Sequence, residues 1–160
     1  MLPLSEYSSS MDDIDWKILA ELQMNARLTL TELAERVGIS LSPCHRRVHV
    51  LEETGIIQHY RTLLDRDKLG LTFPVIVFVT LRDGDRAAVQ AFEKAVTSIP
   101  EIISAQRLFG DPDYILHVLT QDLPTFQRLY DEQLSPLEGV QRLTSTLVMK
   151  NLFQNRMLFV

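Results

Sequence analysis

The chain has 160 residues, 46% of them hydrophobic, and a formal net charge of −5. This composition is typical of a globular protein, and the length suits one domain of ordinary size or two small ones. The single cysteine, Cys44, excludes an internal disulfide bond, and no apolar run approaches the ~20 residues of a membrane span. We therefore expect a cytoplasmic protein without a membrane partner, beginning with a flexible polar arm at residues 1–10.

Two short helices are predicted after this arm. Apolar residues recur at helical spacing in "MDDIDWKILAELQ", and Asp12 or Asp13 is a suitable N-cap. A second amphipathic segment, "NARLTLTELAERVG", follows. Thr29 or Thr31 would cap it, and Gly38 would end it.

A third helix is predicted to begin near Ser40–Pro43, with Ser42 as the cap and Pro43 at the first helical position. It ends at Gly55. Beyond that glycine the period of the pattern changes, so residues 56–65 are predicted to form a strand. A Gly- and Pro-containing connector, "RDKLGLTFP", follows, and the boundary between two domains falls near residues 65–73.

From residue 74 onward, strand and helix patterns alternate in the order β-α-β-β-α-β. This order predicts an α+β, ferredoxin-like plan with two helices on one face of an antiparallel sheet. The N-terminal domain would then span 11–64, the linker 65–73 and the C-terminal domain 74–160. The predicted strands are 74–81, 101–110, 113–120 and 139–150, the helices are 85–98 and 123–134, and residues 154–160 would add a short strand.

The third helix has an unusual distribution of charge for an acidic protein. Two arginines and two histidines lie within five residues of "SLSPCHRRVHVLEETG". A step of 100° per residue places its apolar residues on one side, for packing against the first two helices. Ser42, Arg46 and His49 lie on the opposite side, His45 on its flank, and Arg47 nearer the buried edge.

A helix with this exposed face fits the major groove of B-DNA, where arginine can donate two hydrogen bonds to guanine. Hydroxyl groups and free N–H groups at helix starts can hold phosphates. Together with the turn before it, the third helix predicts a helix-turn-helix unit over 30–49 and double-stranded DNA as a partner. The predicted DNA contacts are Thr31, Ser40, Ser42, His45, Arg46, Arg47 and His49.

Two other interpretations of this helix are a solvated face with basic residues by chance, and a zinc site at His45 and His49. No glutamate follows His45 to act as a base, two arginines lie between the histidines, and no second cluster supplies ligands. We therefore expect no metal. We also expect no catalytic residues, because the sequence has neither a Gly-rich phosphate loop nor a G-x-S-x-G elbow. Asp111 and Asp113 could perform acid–base chemistry, but two such residues more often shape a turn.

Taken together, these motifs resemble the leucine-responsive/asparagine regulator (Lrp/AsnC) family. The shared features are D-x-x-I-L-x-x-L-Q, E-L-A-x-x-V-G-I-S, the Ser–Pro start with "PC", L-E-x-x-G-I-I, "RLFGDPDYILHV" and "STLVMKN". The resemblance implies a bacterial or archaeal, nucleoid-associated transcription regulator with a winged helix-turn-helix domain. It also implies an αβ-sandwich domain that dimerises and binds amino acids, in homodimers that commonly form octamers.

The loop "FGDPDY" would be an ordinary turn if taken alone, but the resemblance implies an effector pocket there. Asp113, or else Asp111, would face the ammonium group of an amino acid. Amide groups near Gly110 would face its carboxylate. Phe109 and the hydroxyl groups of Thr144, Ser145 and Thr146 would complete the pocket across a subunit interface, and no other cofactor is expected.

The sequence thus predicts a sequence-specific DNA-binding transcriptional regulator that responds to a small molecule, and the resemblance favours an amino acid. One alternative is an architectural DNA-binding protein of the same fold, whose C-terminal domain only assembles the oligomer. Another is an enzyme built on the ferredoxin-like half. A ligand screen separates the first two hypotheses.

Overall fold

The computed structural model describes residues 11–82, 84–153 and 156–158. The described residues form two compact units: those up to Leu63 together with those from Phe153 onward, and Leu64–Leu152. Within these ranges no helix is both long and apolar enough to cross a membrane. The predicted arm at 1–10 lies outside the described residues.

The first unit is a bundle of three helices, α1 (Asp13–Met24), α2 (Leu30–Val37) and α3 (Leu41–Glu53). Of the candidate caps, Asp12 begins α1 and Thr29 begins α2, each in a reciprocal capping box with the acidic residue three positions on. Gly38 ends α2 in the left-handed conformation, at φ +77°. The buried core consists of Ile18, Leu33, Ala34, Val37, Cys44, Val48 and Leu51.

The start of α3 differs from the prediction by two residues. Ser40, not Ser42, is the N-cap, and Pro43 occupies the third helical position. Proline is tolerated there because the first N–H groups of a helix have no partner within it. Gly55 ends the helix at φ +74°, as predicted.

The strand predicted at 56–65 does not form, and residues 11–72 contain no strand. A strand needs a hydrogen-bonded neighbour, and the described part of this unit supplies none. The chain instead runs without regular structure into a turn at 66–70. Residues 156–158 are not in a strand either, and the N–H of Leu158 donates to Gln23 Oε1 at 2.8 Å.

The second unit has the predicted β-α-β-β-α-β order. Its elements are β1 (Phe73–Leu81), α4 (Arg86–Thr97), β2 (Ile102–Arg107), β3 (Tyr114–Thr120), α5 (Leu123–Leu129) with a π-helical turn (Tyr130–Leu134), and β4 (Val140–Leu147). All strand pairs are antiparallel, in the spatial order β2-β3-β1-β4. The ferredoxin-like fold is therefore confirmed.

The two faces of this sheet have different surroundings. Val75, Val77 and Val79 of β1 are buried in a core shared with α4 and α5. Because side chains alternate along a strand, Ile76 and Phe78 point to the other face, where they are half-buried. The helices of this unit, α4 and α5, leave that face uncovered, and we call it the helix-free face.

Candidate nucleic-acid interface and ligand cleft

The exposed side of α3 carries the predicted DNA-contact groups. Ser42, His45, Arg46 and His49 are all exposed, while Cys44, Val48 and Leu51 on the other side are buried. Carboxylates border this face at its edges: Glu53 Oε1 lies 3.2 Å from His49 Nε2, and Glu52 lines a surface cleft with His45 and His49. The chemistry along most of this face is therefore that of hydrogen-bond donors and cations.

Hydroxyl groups stand at the starts of α2 and α3. Ser40 is exposed at the N-cap of α3 and its side chain makes no capping hydrogen bond. Thr31 is exposed at the second position of α2. Both positions adjoin helix N-termini, whose partial positive charge favours a phosphate.

Arg47 is placed differently from the other predicted DNA contacts. Its Nη2 lies 2.8 Å from Asp12 Oδ2, and its Nη1 lies 2.8 Å from Asp15 Oδ1. Hydrogen bonds to Asp15 and Asp12 raise the pKa of the guanidinium above its usual value. The pKa of Asp12 is lowered, first by the hydrogen bond from the Asp15 N–H and further by Arg47. A phosphate contact by Arg47 would have to compete with both carboxylates.

The two histidines of α3 lie side by side. Their ring centroids are 6.4 Å apart and their planes differ by 3°. The described residues contain no group of three or more His, Cys, Asp or Glu side chains that could hold a metal ion. His59, which the sequence placed in a strand, lies in the irregular segment after α3 and is exposed.

The predicted effector loop borders a surface cleft of about 640 Å³. Gly110 has φ +142°, a conformation that favours glycine. The cleft is lined by Thr80, Leu81, Gly110, Asp111, Asp113, Gln141 and Arg142.

Asp113 and Asp111 play unequal parts in this cleft. Asp113 Oδ2 accepts a hydrogen bond from the Leu81 N–H at 2.8 Å, and the Asp113 N–H donates to the Val79 carbonyl at 2.9 Å. Asp113 therefore fastens the loop to β1. Asp111 is 74% exposed, and its Oδ1 lies 3.2 Å from Arg142 Nη2. The carboxylate that is open to a ligand is the one that the sequence ranked second.

Within one chain, the other predicted effector residues lie apart from this cleft. Thr144 and Thr146 stand opposite Phe78 and Ile76 on the helix-free face. Ser145 lines a different cleft, on the helix-covered side with Phe126 and Leu143. Phe109 is fully exposed and does not line the cleft.

Arg142 is a cleft residue that sequence reasoning missed. It stands opposite Thr80 in the β1–β4 ladder, which has an irregularity between Thr80 and Leu81. The pairing register places Arg142 next to Asp111, 31 residues away in the chain. No local sequence pattern encodes such a register. Only the alternation of side chains along β4 could have suggested that Arg142 faces away from the helix-covered core.

A comparison with known families covers both units. A family model described as Lrp/AsnC ligand binding domain matches residues 74–158, more than half of the chain. The chain belongs to the Lrp/AsnC family. A second model, described as winged helix-turn-helix DNA-binding, matches residues 11–58. The resemblance seen in the sequence motifs is thereby confirmed.

Several members of the Lrp/AsnC family are similar over most of their length. The leucine-responsive regulatory protein of Rhizobium meliloti is 39% identical over 140 residues, 88% of this chain and 90% of that protein. The proline dehydrogenase transcriptional activator of Rhodobacter capsulatus is 37% identical, covering 88% of this chain and 91% of that one.

Solved structures of the family give the same fold. A Neisseria meningitidis transcriptional regulator, solved as its L-Met complex, has a TM-score of 0.86 at 36% identity, over 91% of this chain and 94% of that one. An AsnC family regulator from Agrobacterium tumefaciens has a TM-score of 0.87 at 30% identity, over 92% and 96%. This Lrp/AsnC chain is therefore a DNA-binding transcriptional regulator with a ligand-binding domain.

Proposed function

We propose that this regulator responds to an amino acid bound in the cleft between the 109–113 loop and the start of β4. The observation that carries the proposal is the exposed pair of Asp111 and Arg142, whose charged groups lie 3.2 Å apart. An α-amino acid bears an ammonium and a carboxylate on one carbon. Asp111 would receive the ammonium, and the guanidinium of Arg142 would receive the carboxylate in a forked geometry.

The loop supports this role because it is held in place before any ligand arrives. Its fastening point is Asp113, which is bonded to the backbone of Leu81 and Val79. A fixed loop loses less conformational entropy on binding than a mobile one. The match to the ligand-binding domain model and the L-Met complex of the Neisseria relative agree with an amino-acid effector.

We further propose that the regulator acts as a homodimer, with higher oligomers such as octamers built from it. Ile76 and Phe78 on the helix-free face would otherwise leave apolar surface in water, and a second copy would bury it. Thr80 and Arg142 lie on the same face, so the effector cleft would border the interface. The two copies of α3, the recognition helix of each subunit, would then meet DNA about one helical turn, or a multiple of it, apart.

At the DNA, Arg46 would read a base edge from the exposed face of α3. Thr31, Ser40 and Ser42 would hold phosphates, and His45 and His49 would contact the backbone or bases beside Arg46. Such a regulator works on chromosomal DNA in the cytoplasm of a prokaryotic cell.

A thermal-shift screen of the full chain against the twenty amino acids tests the proposal. A ligand bound only by the folded state raises the unfolding midpoint. We expect one or a few amino acids to do so in the wild type, and Asp111→Asn to reduce the shift. The affinity for a DNA fragment selected from a random pool should change with that amino acid. If no amino acid shifts the midpoint, the architectural alternative replaces this proposal.

A further inference from the structure

An arginine fork joins the recognition helix to the start of α1. The two terminal nitrogens of Arg47 meet the two oxygens of Asp12 at 2.9 and 2.8 Å, and Nη1 also meets Asp15 Oδ1 at 2.8 Å. The side chains are not freely solvated, since Arg47 is 30% exposed and Asp15 is 15% exposed. A bidentate pair of this kind fixes geometry as well as contributing energy.

Both carboxylates of this cluster have a second task. Asp12 Oδ1 accepts the N–H groups of Ile14 and Asp15 as the cap of α1. Asp15 Oδ2 accepts the N–H of Asp12 in return. Arg47 therefore binds carboxylates that the capping box already holds in place. The position of α1 then restrains the position of α3.

The apolar contacts of α3 do not fix its rotation about its own axis, whereas the hydrogen bonds of Arg47 do. Cys44, Val48 and Leu51 hold α3 against the other helices through burial, which has no preferred direction. A small rotation of α3 about its axis would keep them buried and would swing the neighbouring Arg46. The fork opposes that rotation because its hydrogen bonds are directional.

We infer that Arg47 is a positioning residue: by gripping Asp12 and Asp15 it sets the rotation of the recognition helix, so that Arg46 meets its base edge. Arg47 keeps this contact when DNA is bound. The rival role is a phosphate contact, for which Arg47 would have to leave both carboxylates. Asp12 and Asp15 would then be unpaired beside a polyanion, at an electrostatic cost that grows as salt is lowered.

The two roles give opposite results when Asp15 is neutralised. In the Asp15→Asn variant an oxygen remains to accept the Asp12 N–H, while one of the two carboxylates that hold Arg47 is neutralised. Positioning predicts a loss of roughly three- to tenfold in affinity for a selected DNA fragment. A phosphate contact predicts tighter binding, because Arg47 is then held by Asp12 alone and a negative charge near DNA is removed. Fluorescence anisotropy on selected and random fragments measures the difference.

Two substitutions of Arg47 extend the test. Arg47→Lys keeps the charge but not the fork, so positioning predicts a loss like that of Asp15→Asn, confined to the selected fragment. Arg47→Gln should leave the slope of log affinity against log salt unchanged. The double variant that combines Arg47→Gln with Asp15→Asn should bind DNA no more weakly than either single variant. Binding is compared at a temperature at which circular dichroism shows each variant folded.

Arg36→Gln is the matched control. It breaks the 2.9 Å pair between Arg36 and Glu21, which joins α2 to α1 without touching α3. We expect it to keep the ratio of selected to random affinity. The inference is overturned if Asp15→Asn binds more tightly, if Arg47→Lys binds like the wild type, or if Arg47→Gln lowers the salt slope by about one.

Discussion

The two units each contain an arginine–aspartate pair, and the pairs differ in their surroundings. Arg47 is 30% exposed and lies 2.8 Å from each of two carboxylates, Asp12 and Asp15. Arg142 is 62% exposed and lies 3.2 Å from a single carboxylate, Asp111, which is itself 74% exposed. The pair in the DNA-binding unit is engaged on two sides, whereas the pair in the ligand-binding unit faces open solvent.

If Arg142 binds the effector as proposed, this difference separates a structural use of arginine from a binding use. Moving Arg47 to a ligand would break several charge-assisted hydrogen bonds, each stronger than a neutral one. Arg142 directs only Nη2 at Asp111 and Thr80, and exposed pairs of this kind contribute little to stability. A ligand can therefore recruit Arg142 at small cost.

The largest effect is expected from a charge placed on the helix-free face. Phe78→Glu would bury a carboxylate in the proposed dimer interface, beside the strand end that carries Thr80 and Arg142. Uncompensated burial of an ion costs several kcal/mol, so the dimer should weaken by at least about a thousandfold and the ligand response should disappear. Analytical ultracentrifugation of the full chain measures the dissociation.

Ala91→Glu is the matched control for this substitution, because Ala91 is exposed on the helix-covered side of the same unit. It should leave the dimer intact. A Phe78→Glu chain that still sediments as a dimer at micromolar concentration would show that the subunits meet through another surface.

The next effect concerns the open pair itself. Arg142→Ala removes the proposed partner of the ligand carboxylate, and a hydrogen bond to a charged group contributes about 1.5–3 kcal/mol. Ligand affinity should therefore fall by roughly 10- to 150-fold, while DNA affinity without ligand stays near that of the wild type. Isothermal titration with the amino acid found by thermal shift measures the first quantity, and anisotropy measures the second.

Arg142→Lys refines this prediction, since lysine keeps the positive charge but cannot form the two parallel hydrogen bonds of a guanidinium. Partial recovery of ligand affinity is expected. An Arg142→Ala chain that binds ligand as the wild type does would remove Arg142 from the site and with it the contrast between the two pairs.

Arg46→Ala tests whether the arginine beside the fork is the one that reads bases. Loss of a bidentate contact to guanine should cost about 1–3 kcal/mol on the selected fragment and relax the preference at one base pair of each half-site. Affinity for random DNA should fall much less. Selection from a random pool with the variant measures the relaxed position.

Arg128→Ala, in the last turn of α5, removes one positive charge from the other unit and serves as the control. Equal and small losses for Arg46→Ala on selected and random fragments would contradict a base-reading role.

Periodicity and capping chemistry predicted most of the fold. The three helices, the β-α-β-β-α-β order and the buried stripe of Cys44, Val48 and Leu51 follow from local patterns, because each element carries its own signal. The prediction of a strand at 56–65 was wrong because a local sequence pattern does not show whether a neighbouring strand is present.

The candidate sites were predictable only in part, for a related reason. The exposed face of α3 and the loop at 109–113 are local features. The partners of Arg47 and Arg142 lie 35 and 31 residues away in the chain. Packing angle and strand register decide such contacts. Helical spacing correctly placed Arg47 near the buried edge of α3, but it could not show that Asp12 and Asp15 lie beside it.

The smallest effect is expected on the free energy of unfolding at high pH. Two tyrosine–glutamate hydrogen bonds, one buried and one exposed, show the same contrast as the two arginine–aspartate pairs. Tyr114 donates to Glu93 Oε1 at 3.0 Å and is 3% exposed, while Tyr60 donates to Glu52 Oε1 at 3.0 Å and is 47% exposed. Burial, and then the carboxylate partner, raise the pKa of each phenol from 10.0 to about 12. Solvent around Tyr60 screens its interactions, so we expect the stability effect mainly at Tyr114.

The sign follows from the raised pKa. Below pH 10 both folded and unfolded chains keep the phenol protonated, so the stabilisation is fully present. Between pH 10 and 12 the unfolded chain ionises first, and the free energy of unfolding should fall by roughly 1 kcal/mol by pH 11. Tyr114→Phe should remove that part of the decline, and Tyr60→Phe much less of it. Urea unfolding at pH 9 and 11, followed by circular dichroism, measures the decline, and equal effects of the two variants would contradict the contrast.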